Sequence, residues 1–112
     1  MQVAYPDDAD GEALQRVADN GSDMAKPMSI EFAVVVADMT KARAIAELVS
    51  AHGYRPDINI DDETGAVAVY CAKTMLATYD GVVSGQAELT QLCEPFGVVC
   101  DSWGTYGNRP DH

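Results

Sequence analysis

Two segments that are apolar on both faces constrain the fold of this 112-residue chain more than any other feature. Residues 28–37 and 66–73 place branched or small apolar side chains at odd and even positions alike. Strands of that kind are covered on both sides and lie inside a sheet. Between them, residues 54–61 alternate apolar and polar side chains and include Pro56, which is typical of a half-exposed strand at a sheet edge.

Three amphipathic segments and one further strand complete the pattern. The predicted helices are residues 10–20, the segment between Asp38 and Gly53, and residues 78–94, and the last strand is residues 98–103. Gly81 and Gly85 are expected to weaken the third helix, and Pro95 to end or distort it. The hairpin that joins the second and third strands turns through residues 62–65.

This order predicts an α+β fold, a ferredoxin-like βαββαβ sandwich with an extra N-terminal helix and strand order 4-1-3-2. One domain spans residues 1–112, with an N-terminal helix and turn (1–27), the core (28–104) and a polar tail (105–112). In such a sandwich the two crossing helices cover one face only. The small apolar residues of the other face, Ala33, Val35, Ala68 and Ala72, therefore need a cover. We expect the N-terminal helix to supply it, and a second copy of the chain is the alternative.

The charge restricts the partners. The chain has 18 acidic and 7 basic residues, a net charge of -11 and a pI near 4.2. A protein of this charge is unsuited to sequence-independent nucleic-acid binding and to anionic membranes, since both need clustered cations. Six acids lie within residues 7–23 and four within 57–63. They indicate either a basic protein partner or a solvated surface.

No residue set in the sequence indicates catalysis, a metal or a cofactor. With two histidines, the chain has almost no candidate residues for a His-based metal site or a Ser-His-Asp triad. Cys71, Cys93 and Cys100 form no C-x-x-C pair and are predicted to be reduced, buried thiols. Neither a signal peptide nor a membrane-length apolar run is evident, so the expected location is the cytoplasm.

Four short features at element junctions are not explained by core packing. They are Gly21-Ser22-Asp23-Met24 with Lys26-Pro27, then Lys73-Thr74-Met75, then Asp101, and then Trp103-Gly104. Junctions concentrate both turns and functional residues. Trp103, the only tryptophan, is either an anchor at a partner interface or a half-buried side chain that closes the sheet edge.

These features, in this order and spacing, resemble the RraB family, the regulators of ribonuclease E activity B. The resemblance covers residues 14–104 and implies a ferredoxin-like fold and a non-enzymatic regulator. Such a regulator binds the scaffold region of ribonuclease E, which is rich in arginine, and modulates RNA degradation. The expected state is a monomer or weak homodimer. The candidate partner-binding residues are Trp103, Asp101, Asp61, Asp62, Glu63 and Asp23. The alternative is a self-associating, small-ligand-binding domain without a role in RNA decay.

Overall fold

The computed structural model describes residues 5–108, in which three helices stand against one four-stranded antiparallel sheet. The elements are α1 (Ala9–Asp19), β1 (Met28–Val36), α2 (Met39–Ala51), β2 (Arg55–Ile60), β3 (Val67–Met75), α3 (Tyr79–Leu92) and β4 (Cys100–Gly104). Each was predicted from the sequence, with small shifts at the ends. Residues 109–112 of the predicted polar tail and the side chain of Asp101 lie outside the described part.

The sheet has the order β2-β3-β1-β4, so the two strands that are apolar on both faces are the central ones. This is the predicted strand order. The register places Phe32 opposite Cys71 and Val34 opposite Val69, and all four side chains are fully buried. Their face of the sheet is covered by α2 and α3, and it forms the hydrophobic core. Strand β2 lies at the edge of the sheet as predicted, but its burial does not alternate, because every residue except the half-buried Ile58 is exposed.

Helix α3 approaches the sheet closely because one of its residues has no side chain. Gly85 lies against the Phe32 ring, and a Cβ atom added at Gly85 would overlap that ring. The helix continues through Gly81 and Gly85 and ends before a 3-10 turn, Glu94–Phe96, that contains Pro95. Gly85 thus allows the contact between α3 and the centre of the core, and Pro95 ends the helix as predicted.

Helix α1 does not cover the second face of the sheet, so that expectation was wrong. Trp103 of β4 lies opposite Phe32 and therefore projects to the core side, where its indole N–H donates to Asp10 of α1 at 2.9 Å. The Tyr79 hydroxyl of α3 donates to Asp8 at 2.6 Å. These polar contacts and the fully buried Leu14 hold α1 beside α3, on the side that α2 and α3 already cover.

The second face of the sheet consequently stays open along most of its length. Val35 is 64% exposed and Tyr70 is 37% exposed. Within the described residues, the segment after β4 crosses this face near its end, where the Thr105 hydroxyl donates to the Ser29 carbonyl at 2.6 Å.

A side chain of α3 forms hydrogen bonds with the backbone at the start of β4. The Thr90 hydroxyl accepts a hydrogen bond from the Cys100 N–H at 2.9 Å and donates to the Cys100 carbonyl at 3.3 Å. One hydroxyl thus satisfies both backbone groups of Cys100, at the start of the edge strand.

All three cysteines are buried thiols, as predicted. Desolvation raises the pKa of the Cys71 thiol to about 12, with smaller contributions from Cys100 and Cys93. Burial also raises the pKa of Cys93. Since the thiolate is the reactive form, neither Cys71 nor Cys93 is a nucleophile at neutral pH.

We expect native protein at pH 8 to leave Cys71 and Cys93 unmodified by iodoacetamide, and urea-unfolded protein to be modified at both, as read by mass spectrometry. Because the folded-state pKa of Cys71 is raised from 9.0 to about 12, its contribution to stability is complete below pH 9 and is lost as the pH rises toward 12. Rapid modification of Cys71 in native protein at pH 8 would contradict this assignment.

Candidate protein-interaction site

The sequence motifs, separated by up to about eighty positions along the chain, meet at one end of the sheet, which we call the motif end. Lys26 and Pro27 lead directly into β1. The register then places Ile30 opposite Lys73 and Met28 opposite Met75. Gly104 at the end of β4 lies opposite Glu31. The structure therefore gathers the motif segments around the first residues of β1.

A single asparagine fixes the loop at the motif end. The Asn108 side chain accepts from the Asp23 N–H at 2.8 Å and donates to the carbonyls of Asp23 (2.9 Å), Lys26 (3.2 Å) and Pro27 (3.3 Å). The Asp23 carboxylate accepts from the Ala25 N–H at 3.0 Å and lies 3.9 Å from the Lys26 ammonium. The sequence did not identify Asn108, because no pattern in the polar tail predicts hydrogen bonds to a loop 81–85 positions earlier in the chain.

The Lys73-Thr74-Met75 motif makes contacts within the fold. The Lys73 ammonium lies 5.1 Å from the centroid of the buried Tyr54 ring, and the Tyr54 hydroxyl donates to Glu88 at 2.6 Å. Desolvation is the larger cause of the raised pKa of Tyr54, and the hydrogen bond to Glu88 is the next. The Tyr54 hydroxyl therefore stays protonated and donates to Glu88. Thr74 accepts from the Arg55 guanidinium at 3.4 Å. Lys73 thus stabilises the point where β2, β3 and α3 meet.

Trp103 is half-buried and joins β4 to α1 through its hydrogen bond to Asp10. The same carboxylate oxygen accepts from the Gln86 amide at 3.3 Å. Of the two interpretations of Trp103, these contacts describe a side chain that closes the sheet edge; its role as a partner anchor stays a prediction.

The acidic turn lies at the opposite end of the sheet. Asp61 accepts from the N–H groups of Glu63 (2.8 Å) and Thr64 (3.4 Å), while the exposed carboxylates of Asp62 and Glu63 form no ion pair within residues 5–108. The turn follows Ile60, which lies opposite Val67, whereas the motif end lies at Met75. At about 3.3 Å per residue, the two ends are roughly 26 Å apart. The structure therefore does not bring Asp61, Asp62 and Glu63 together with Trp103 and Asp23.

The acids of the first helix differ from those of the turn, because several are engaged in the fold. Asp8 caps α1 by accepting from the Gly11 N–H at 2.8 Å, and the Tyr79 hydrogen bond, followed by that of Gly11, lowers the pKa of Asp8. Asp10 holds Trp103. Across the described residues, Lys26–Asp23 is the one ion pair. The exposed carboxylates elsewhere on the described surface are thus not neutralised internally.

The described residues contain no group of three or more His, Cys, Asp or Glu side chains that could hold a metal ion. None of the helices between positions 5 and 108 is long and apolar enough to cross a membrane.

The described structure is that of a small acidic α+β domain whose motifs build one end of the sheet and whose surface carboxylates mostly lack internal cations. A family model described as "Regulator of ribonuclease activity B", RraB, matches residues 7–105. The chain belongs to the RraB family. A comparison with curated proteins finds no significant match.

Proposed function

We propose that this protein is a non-enzymatic regulator that binds a basic segment in the scaffold region of ribonuclease E and modulates RNA degradation in the cytoplasm. The match of the RraB family over residues 7–105 carries the proposal, because the family is described as regulating ribonuclease activity. The strand order β2-β3-β1-β4 supports assigning the domain to the ferredoxin-like class.

The charge distribution supports a basic partner. The net charge is -11, and the carboxylates of Asp62 and Glu63 are exposed and lack a cation among the described residues. Positive segments are attracted to such a surface over about one Debye length, which is roughly 8 Å at physiological ionic strength. The candidate contacts remain Asp61, Asp62 and Glu63 at the turn, and Asp23, Asp101 and Trp103 toward the other end.

We expect immobilised protein to capture ribonuclease E from a lysate of the native host at low salt, and to release most of it when the ionic strength is raised severalfold. Exposed charge contacts are screened by salt, which explains the expected loss. A variant with Asp62→Asn and Glu63→Gln should capture less ribonuclease than a variant with Glu47→Gln and Glu94→Gln, which has the same net charge and changes exposed acids outside both acidic clusters.

Capture that does not change between low and physiological ionic strength would count against an acidic docking surface. Absence of any ribonuclease component in the wild-type capture, with correctly folded protein on the beads, would overturn the proposed function.

The open sheet face favours one second candidate, a homodimer that buries the exposed Val35 and holds a small ligand at its interface. Light scattering distinguishes the homodimer from a monomer, since a dimer has twice the 12.0 kDa mass of the chain.

A further inference from the structure

The open face of the sheet carries a pocket of about 360 Å³ that the motifs do not reach. It is lined by Glu31, Asp57, Asn59, Tyr70 and Tyr106, and we call it the sheet-face pocket. We propose that the sheet-face pocket binds an arginine side chain of an extended basic protein segment. This proposal rests on the proposed function and names the surface at which the basic partner docks.

The strand register explains why the face is hollow here. Tyr70 of β3 lies opposite Asp57 of β2 on one side and Ala33 of β1 on the other. Alternate side chains of a strand share a face, so Glu31 stands beside Ala33 on the same side of the sheet. The methyl group of Ala33 leaves space next to the Tyr70 ring, and the carboxylates of Glu31 and Asp57 stand on either side of it. The small residues of this face thus create room for a side chain from outside.

No cation among residues 5–108 pairs with the carboxylates of the pocket. Glu31 is half-buried, and its carboxylate has no hydrogen bond or ion pair with any described residue. Asp57 accepts one hydrogen bond, from the Asn59 amide at 3.3 Å. Arg55, the basic residue of this face within the described strands, donates instead to the hydroxyls of Ser29 (3.2 Å) and Thr74 (3.4 Å). As built by the described residues, the pocket is therefore negative and has carboxylate oxygens that accept no hydrogen bond.

Two tyrosine rings give the pocket a preference for a planar cation. Tyr70 is 37% exposed and Tyr106 is 81% exposed. Hydrogen bonds hold the chain on both sides of Tyr106, because Thr105 donates to the Ser29 carbonyl and Asn108 donates to the Asp23 carbonyl. A guanidinium can stack on a tyrosine ring while it pairs with a carboxylate through two N–H groups. A lysine ammonium lacks that plane, so arginine fits better.

Charge complementarity selects a basic segment over a second copy of the chain. A two-fold dimer through this face would bring Glu31 and Asp57 against the same residues of the copy, in chains of net charge -11 each. Like charges that are buried together oppose association. A basic segment gains from the same carboxylates.

The test uses the full chain and two synthetic peptides, one alternating arginine with glycine and one alternating lysine with glycine, with calorimetry at physiological salt. We expect the arginine peptide to bind more tightly than the lysine peptide. Glu31→Gln should raise the dissociation constant of the arginine peptide about tenfold, and Tyr70→Leu should raise it about fivefold. Tyr70→Phe keeps the ring and should retain binding. Glu47→Gln, which removes one charge from the exposed side of α2, is the matched control.

Two results would overturn the proposal that the sheet-face pocket binds arginine. One is an equal loss of peptide affinity in Glu31→Gln and Glu47→Gln, and the other is equal affinity of wild-type protein for the two peptides. Circular dichroism on each variant separates these results from unfolding. Ribonuclease capture by the same variants distinguishes the two proposals. If wild-type protein and Glu31→Gln capture the ribonuclease equally, the partner docks elsewhere and the proposed function stands. If neither captures it while the peptide results hold, the pocket stands and ribonuclease E is not the partner.

Discussion

Gly85→Ala is expected to destabilise the protein by about 2 kcal/mol, although glycine-to-alanine changes inside helices ordinarily stabilise by about 1 kcal/mol. The reversal follows from the contact between α3 and the sheet, because the new methyl group would overlap the fully buried Phe32 ring. Urea denaturation followed by far-UV circular dichroism measures the change. Ser84→Ala, at the preceding exposed position of α3, is the control and should be neutral or slightly stabilising.

A double-mutant cycle tests the stated cause. Phe32→Leu alone should lower stability because it removes part of the core. In the Gly85→Ala background the smaller leucine side chain leaves room for the methyl group, so the two losses should not add. Additive losses, or a Gly85→Ala protein more stable than wild type, would show that α3 does not approach Phe32 closely.

Trp103→Ala is expected to lower the free energy of unfolding by about 3 kcal/mol, since the indole packs against the core and also holds α1. Trp103→Phe keeps most of the packing and loses the hydrogen bond to Asp10, so its expected loss is about 1 kcal/mol. Asp10→Ala should resemble Trp103→Phe. Because Trp103 is the only tryptophan, circular dichroism rather than intrinsic tryptophan fluorescence must follow the unfolding.

The same variants decide between the two roles of Trp103. Ribonuclease capture is measured at a temperature at which every variant is folded. Unchanged stability of Trp103→Ala together with lost capture would establish the indole as a partner anchor and contradict its structural role. Lost stability with retained capture would confine Trp103 to the junction of β4 and α1.

The elements and the strand order were predictable from the sequence because both depend on local periodicity. Apolar residues on both faces identified β1 and β3 as central, and Pro56 with its alternating neighbours identified β2 as an edge. The position of α1 was not predictable in this way. It depends on hydrogen bonds from Tyr79 and Trp103 to Asp8 and Asp10, which join residues 71 and 93 positions apart.

The candidate site was predictable only in part, for the same reason. The motif positions identified the turns that meet at the motif end. They did not identify Asn108, whose side chain forms hydrogen bonds with the loop that contains Asp23 and Lys26. The sheet-face pocket combines side chains from three strands and the segment after β4, and its members are single residues without a common motif. Charge counting found the acidic turn at residues 61–63, whereas the position of Glu31 near Tyr70 depends on the pairing of β1 with β3.

The hydroxyl of Thr90 has a consequence for how the protein behaves at high concentration. By occupying the backbone groups of Cys100 it makes the start of this short edge strand less available for pairing with another chain. At the opposite edge, Pro56 has no N–H to donate, and Arg55 and Asp57 place charges beside it. Each margin of the sheet thus carries a feature that opposes strand addition, and we expect these features to slow fibrillar aggregation at high concentration.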